Sequence, residues 1–232
     1  MMEYFTFGDF DCRDCGVHIS GSGTYDMPAK DVEEVTVPGR SGDLIIDNDR
    51  FDNIDITYPA FIVNNFSERI DDLKAELLRR TGYQRLEDTY HPNEYRMGFY
   101  NGGLAFSPGP LNSACEFKLT FRCKPQRFLK SGEKAVTLTN TGIIKNPTAF
   151  KSKPLLRIYG TGTLKLNSQT ITINSASTYT DVDCEIMEAY MGSTNCNANV
   201  SLPDSLYLVS GQNTITLTGV TQVDITPRWW SI

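Results

Sequence analysis

Hydrophobic and polar residues alternate most clearly in two stretches of the first half of the chain. In Asn53–Val63, Ile54, Ile56, Tyr58, Ala60 and Ile62 share one face, and Asp55, Thr57 and Pro59 the other. Phe61 and Val63 make the far end apolar on both faces, so this strand is expected to begin at a sheet edge and finish inside. In Ala114–Cys123, Cys115, Phe117, Leu119, Phe121 and Cys123 oppose Glu116, Lys118, Thr120 and Arg122, the signature of an antiparallel strand with one wet face. Between them the period changes to that of a helix. Phe66, Ile70, Leu73 and Leu77 form a stripe within residues 66–81, with Asn65 as N-cap, Glu68 completing a capping box and Gly82 as terminator. On this reading Arg69, Asp72, Glu76 and Arg80 face water. Upstream, Pro38-Gly39 is suited to a tight turn, and Asp47, Asp49, Asp52 and Asp55 crowd an Asp/Asn-rich segment that reads as an exposed loop or arm.

Past a boundary at Phe128–Gly132 the helix period does not return. Short strands are expected at 135–139, 154–159, 163–166, 169–173, 182–190, 205–209, 214–217 and 222–229, with Asn167-Ser168 closing a tight hairpin. Such regular spacing predicts a β-sandwich. The fold class is therefore mostly β: an N-terminal β-rich domain with one α-helix (1–130) and a C-terminal β-sandwich (133–232).

Composition narrows the function classes. The 232 residues carry a formal charge of −6, which argues against nucleic acid as a partner, since phosphate binding needs clustered Lys and Arg. No apolar run approaches the ~18 residues of a membrane helix, and no membrane association is expected. The N-terminus lacks a basic region followed by an apolar core, so synthesis and folding in a cytosol are expected. The six cysteines, at 12, 15, 115, 123, 184 and 196, are too sparse for a disulfide scaffold and are expected to stay reduced. Cys12-x-x-Cys15 lies between strand-like runs rather than at a helix start, and no second pair or histidine completes a zinc site. The Asp47–Asp52 carboxylates lack the glycine and terminal glutamate of a Ca²⁺ loop. Ser131-x-x-Lys134 matches a nucleophile pair only formally, because Gly132 at a linker opposes the helix turn it needs. No metal, cofactor or catalytic residue is expected, and the chain reads as a non-enzyme.

Three stretches carry a family resemblance: VPGRSGDLIIDNDRFDNIDITYPAFIV (37–63), FRCKPQRFL (121–129), and NPTAFKSKPLLRIYGTGTLKLNSQTITI (146–173) leading to the terminal ITPRWWSI. Together they resemble the distal tail protein (Dit) family of long-tailed bacteriophages and prophages. The resemblance implies a hexameric ring at the virion tail tip, assembled in the bacterial host cytoplasm. It also implies a galectin-like or carbohydrate-module-like C-terminal sandwich outside the ring. The ring would join the tail tube protein to the tip and anchor the tail-associated lysin and receptor-binding proteins. Carried onto this chain, the oligomer interface would comprise Val37, Arg40, Asp43, Leu44, Ile45, Arg50, Ile54, Ile56 and Tyr58. Arg40 and Arg50 would pair with Asp43, Asp47 and Asp49 across subunits. An alternative reading makes the sandwich a module for host cell-surface saccharide, using the loop 192–199 and the aromatic pair Trp229 and Trp230; a strand would turn one ring inward and the other outward.

Overall fold

The computed structural model describes residues 2–21, 23, 25–63, 66–110 and 114–232, which form two compact units, Met1–Arg127 (with Ile232) and Phe128–Ser231. In the first, the strands are β1 (Phe5–Phe7), β2 (Phe10–Asp11), β3 (Val17–Ile19), β4 (Lys30–Val35), β5 (Leu44–Phe51), β6 (Ile54–Val63), β7 (Gln84–Asp88), β8 (Glu94–Phe99), β9 (Phe106–Pro108) and β10 (Ala114–Cys123).

The two alternating stretches find each other. β6 and β10 pair antiparallel along their full length, from Ile54↔Cys123 to Val63↔Ala114. Direct opposition puts like faces together, so Ile56 meets Phe121 and Tyr58 meets Leu119 on the buried side. The sheet runs β2-β1-β7-β8-β10-β6-β3, and an antiparallel bridge from Glu3 to Ile19 curls it back on itself. Phe5, Phe7, Tyr58 and Phe121 fill the interior, with Phe5 stacked on Tyr58 at 5.8 Å and Phe7 tilted against Phe121 at 4.9 Å.

β6 does begin at an edge and finish inside. β3 covers it only at Ala60–Ile62, and Ser20 N donates to Pro59 O at 2.8 Å just beyond. A strand residue's N–H and C=O point to the same side. The N–H that Pro59 lacks is therefore missing from the side where β3 ends, and no ladder bond is lost.

The helix α1 (Phe66–Leu78) buries Ile70, Leu73 and Leu77 and packs on the turn Cys12–Cys15 and on β6. Its expected cap, Asn65, lies outside the described residues. It ends three residues before the expected 81, though Arg79 N still donates to Ala75 O at 3.0 Å and Gly82 turns the chain at φ +69°. Arg80 does not face water: its side chain is 6% exposed, donating to Asp9 at 2.9 Å and to the Glu76 carboxylate at 2.7 Å.

The second unit continues with β11 (Arg127–Leu129, whose first residue belongs to the first unit), β12 (Val136–Leu138), β13 (Gly142–Asn146), β14 (Leu155–Tyr159), β15 (Gly162–Leu166), β16 (Gln169–Ile173), β17 (Thr180–Asp183), β18 (Glu188–Met191), β19 (Thr194–Asn195), β20 (Val200–Ser201), β21 (Gly211–Thr218), β22 (Gln222–Thr226) and β23 (Trp230–Ser231). Sheets ordered β12-β22-β14-β17-β18-β19 and β13-β21-β15-β16-β20 share one core that includes Leu156, Ile158, Leu164, Ile171, Ile215 and Val223. This is the expected sandwich. The strand expected over 182–190 is two strands. Asp183 Oδ1 accepts from Glu185 N at 2.9 Å, Met187 N donates to Asp183 O at 2.8 Å, and Met187 takes φ +56°. An aspartate thus makes this turn without glycine or proline.

Candidate assembly interface

The segment expected to be an arm is a β-hairpin. β4 and β5 pair antiparallel from Lys30↔Phe51 to Val35↔Leu44 and form a two-stranded sheet of their own. The tip is Val37-Pro38-Gly39-Arg40: Arg40 N donates to Val37 O at 3.1 Å and Gly39 takes φ +80°, the geometry of a proline–glycine turn. The aspartate-rich segment is therefore strand rather than loop. Aspartate is a poor strand former, but cross-strand partners compensate. Lys30 pairs with Asp47, Arg50 with Asp31, and Asn48 Nδ2 donates to Asp31 Oδ1 at 3.2 Å. The Arg50 guanidinium holds the Asp31 carboxyl below the usual carboxylate range, and Lys30 does the same to Asp47.

This hairpin has no buried face. Leu44, Ile45 and Ile46 are 43, 55 and 44% exposed, and Val32 on the opposing strand 39%. Three consecutive apolar residues on a strand must point to both sides, so both faces are sticky. Ile46 and Val32 escaped the sequence reading, although the run Leu44-Ile45-Ile46 was a visible signal. An exposed apolar strand with open backbone edges is a template for pairing with another chain.

The nine residues expected at an interface divide. Arg40, Asp43, Leu44, Ile45 and Arg50 lie exposed on the hairpin, and Val37 is half-buried at its tip. Ile54, Ile56 and Tyr58 point into the core of their own unit at 9, 2 and 2% exposure, so their side chains are not available to another copy. The expected cross-subunit pairing also narrows. Arg50 and Asp47 already have partners within the hairpin, and Asp43 accepts from Thr36 Oγ1 at 2.9 Å. Arg40 makes no ion pair among the described residues.

A second feature was not legible in the sequence: an open groove of about 580 Å³ on the outer face of the first unit. It is lined by Pro59 and Phe61 of β6, Glu116 and Lys118 of β10, Ala105 before β9, and Ser20. β10 pairs with β8 only at Arg122–Cys123 and with β9 only at Cys115–Phe117. Between them, among the described residues, Lys118–Phe121 have no strand partner on the side away from β6.

The C-terminal aromatic pair is otherwise engaged. Trp229 is 5% exposed in the sandwich core. Trp230 stacks on Phe150 at 4.4 Å and donates Nε1–H to Lys151 O at 2.9 Å. A saccharide therefore finds no free tryptophan in Trp229 and finds one face of Trp230 taken. Cys12 and Cys15 are buried in a 3-10 turn, where burial pushes their thiols up to about 12 and about 11. Such thiols are poor nucleophiles.

No known protein-family profile matches the sequence, and no curated protein does. Solved structures do match. Over 100% of both chains, at 14% identity and a TM-score of 0.80, the structure resembles Dit of phage SPP1, described as a paradigm of the hub adsorption apparatus in phages infecting Gram-positive bacteria. The chain has the fold of a phage hub protein. The baseplate of phage P2 in its activated conformation supplies two further matches. With Ca the TM-score is 0.51 at 10% identity, covering 97% of this chain and 98% of the other; with Sr it is 0.52 at 10% identity, covering 97% of each. The resemblance read from residues 37–63, 121–129 and 146–173 thus meets a fold shared from end to end.

Proposed function

We propose that this chain is a structural, non-enzymatic tail-tip protein of a long-tailed phage, six copies of which close into a ring hub. The ring joins the tail tube protein to the baseplate and anchors the tail-associated lysin and receptor-binding proteins. Its site is the virion tail tip, after synthesis and assembly in the host cytoplasm. The observation that carries this reading is the end-to-end fold shared with SPP1 Dit. The β4–β5 hairpin supports the self-assembly part, because contiguous apolar side chains left exposed on both faces of a strand mark a surface for another protein to cover. Light scattering of the purified protein across concentration and salt tests it. A concentration-dependent rise to a hexamer is expected; a strict monomer at every concentration contradicts the ring.

A further inference from the structure

The connection between β8 and β9 holds the sequence's one Asn-Gly dipeptide, Asn101-Gly102, followed by a second glycine, Gly103. All three residues are exposed and lie outside any strand or helix. Their flanks are held. The Tyr100 ring meets Phe121 edge-on at 5.8 Å, and both Tyr100 and Leu104 pack on the core of the first unit. Between these anchors, neither the Asn101 carboxamide nor the Gly102 N–H has a hydrogen-bond partner among the described residues.

We infer that Asn101 is a site of spontaneous deamidation, at which the folded protein converts asparagine into aspartate and isoaspartate without an enzyme. The Gly102 backbone nitrogen gives its proton to solvent and attacks Asn101 Cγ. The new N–C bond closes a succinimide ring as the bond from Cγ to the amide nitrogen breaks, and that nitrogen takes up a proton and leaves as ammonia. Water then adds to one of the two ring carbonyls. Opening on one side gives aspartate, and on the other isoaspartate, whose main chain runs through the side-chain carbon.

The residue after the asparagine controls the reaction, because it supplies the attacking nitrogen. Gly102 has an N–H to offer and no Cβ to crowd the attack, and its backbone is free to turn. Other asparagines fail one of these conditions. Asn146 precedes Pro147, which has no N–H. Asn167 is held on both sides of its carboxamide: Nδ2 donates to Asn213 Oδ1 and Oδ1 accepts from Thr214 N, each at 2.9 Å. Asn174 is exposed, but Ser175 follows it, and its own N–H is tied to Asn199 O at 2.9 Å.

The product changes one surface. A carboxylate replaces a carboxamide, and isoaspartate lengthens the main chain by a methylene. Gly102 lies beside Thr120, which together with Gly103 lines the groove over β6 and β10. The new negative charge therefore arises next to a surface that already holds Glu116 and Lys118. Tyr100 and Leu104 stay anchored, so the fold is kept while ageing copies come to differ in charge here. This holds whether or not the chain closes into a ring.

The test incubates the purified full chain at 37 °C at pH 6 and pH 8, with digestion at acid pH, mass spectrometry of the peptides and isoaspartate methyltransferase labelling. A gain of about one dalton should appear in the peptide bearing Asn101 before any other. It should come faster at pH 8, because the attacking nitrogen must lose its proton, and Gly102→Ala should remove most of it. The folded chain should convert at close to the rate of a synthetic peptide spanning Phe99–Leu104. A folded chain slower than that peptide by about tenfold or more would mean that the loop must first open at a cost of about 1.4 kcal/mol, and the assignment falls. It falls equally if another asparagine converts first. The converted chain should melt with the parent; an earlier melt would show that the altered bond belongs to the fold and overturn the accommodation of the product.

Discussion

The hydroxyl of Tyr58 donates to Asp88 Oδ2 at 2.7 Å, tying β6 to β7, strands that are not neighbours in the sheet. Asp88 also accepts from His91 N at 2.8 Å, so one carboxylate holds the strand and the turn that follows it. Tyr58→Phe should cost about 1.5–3 kcal/mol, the range for a hydrogen bond to a charged group. Denaturant unfolding checks this; a loss under 0.5 kcal/mol would make the bond dispensable.

Alkaline pH should unfold the first unit early. Burial, with the Asp88 charge adding to it, raises the Tyr58 hydroxyl well above its ordinary value, and burial pushes the first unit's Cys12 and Cys123 thiols up to about 12 and Cys15 to about 11. A pKa raised in the folded state means that the unfolded chain releases its proton first. Stability is thus full below the unfolded-state thiol value of about 8.5 and falls as pH rises towards 12. Melting temperatures should be level from pH 7 to 8.5 and drop steadily from pH 9 to 11. Tyr58→Phe should flatten the part of the drop above pH 10.

Thiol accessibility should be sharply uneven. Five of the six cysteines are buried, while Cys196 is half-exposed. A thiol-reactive chromophore should label one cysteine in the native protein and six after denaturation. Labelling of Cys12 or Cys15 in the native state would contradict their packing.

Gly132 cannot carry a side chain. A Cβ there would lie 2.3 Å from the backbone N of Trp229, an atom that cannot rotate aside, while Gly132 O accepts from Arg228 N at 2.8 Å. Gly132→Ala should destabilise the second unit by at least the 1–3 kcal/mol typical of overpacking. Tryptophan fluorescence, dominated here by Trp229 and Trp230, reports the change.

Ile45→Asp should separate folding from assembly. The side chain is 55% exposed, so the melting temperature should stay within the range of a surface change. Losing one apolar contact of about 1.5–3 kcal/mol should weaken self-association about 10- to 100-fold. A variant that melts earlier but associates normally would place Ile45 in the fold rather than at an interface.

What could be read in advance follows from burial. The strands at 54–63 and 114–123 each have one face in the core, so their alternation reports both secondary structure and partner face. The Asn167 hairpin was equally plain: Leu166 pairs with Gln169 across a residue at φ +57°. β5 was misread as a loop because neither face is buried, and Leu-Ile-Ile followed by Asp-Asn-Asp shows no alternation. It is a strand because β4 supplies the hydrogen bonds and counter-charges. Which tryptophan turns inward depends on Arg228, whose φ of +55° breaks the strand and whose guanidinium is forked on Asp183 at 2.8 and 2.9 Å. The groove is legible in no single segment, since it arises where β10 changes partners.

Pro59 has a consequence beyond the single ladder position it occupies. The edge of β6 that β3 leaves uncovered reads Ile-Asp-Ile-Thr-Tyr, an alternating β-prone run of the kind that copies of a chain recruit into stacked fibrils. Growth of such a stack requires an unbroken row of donors. The ring nitrogen of Pro59 interrupts that row before the run can extend into Ala-Phe-Ile-Val. One imino acid thus limits the length over which a partly opened chain can seed its own misassembly.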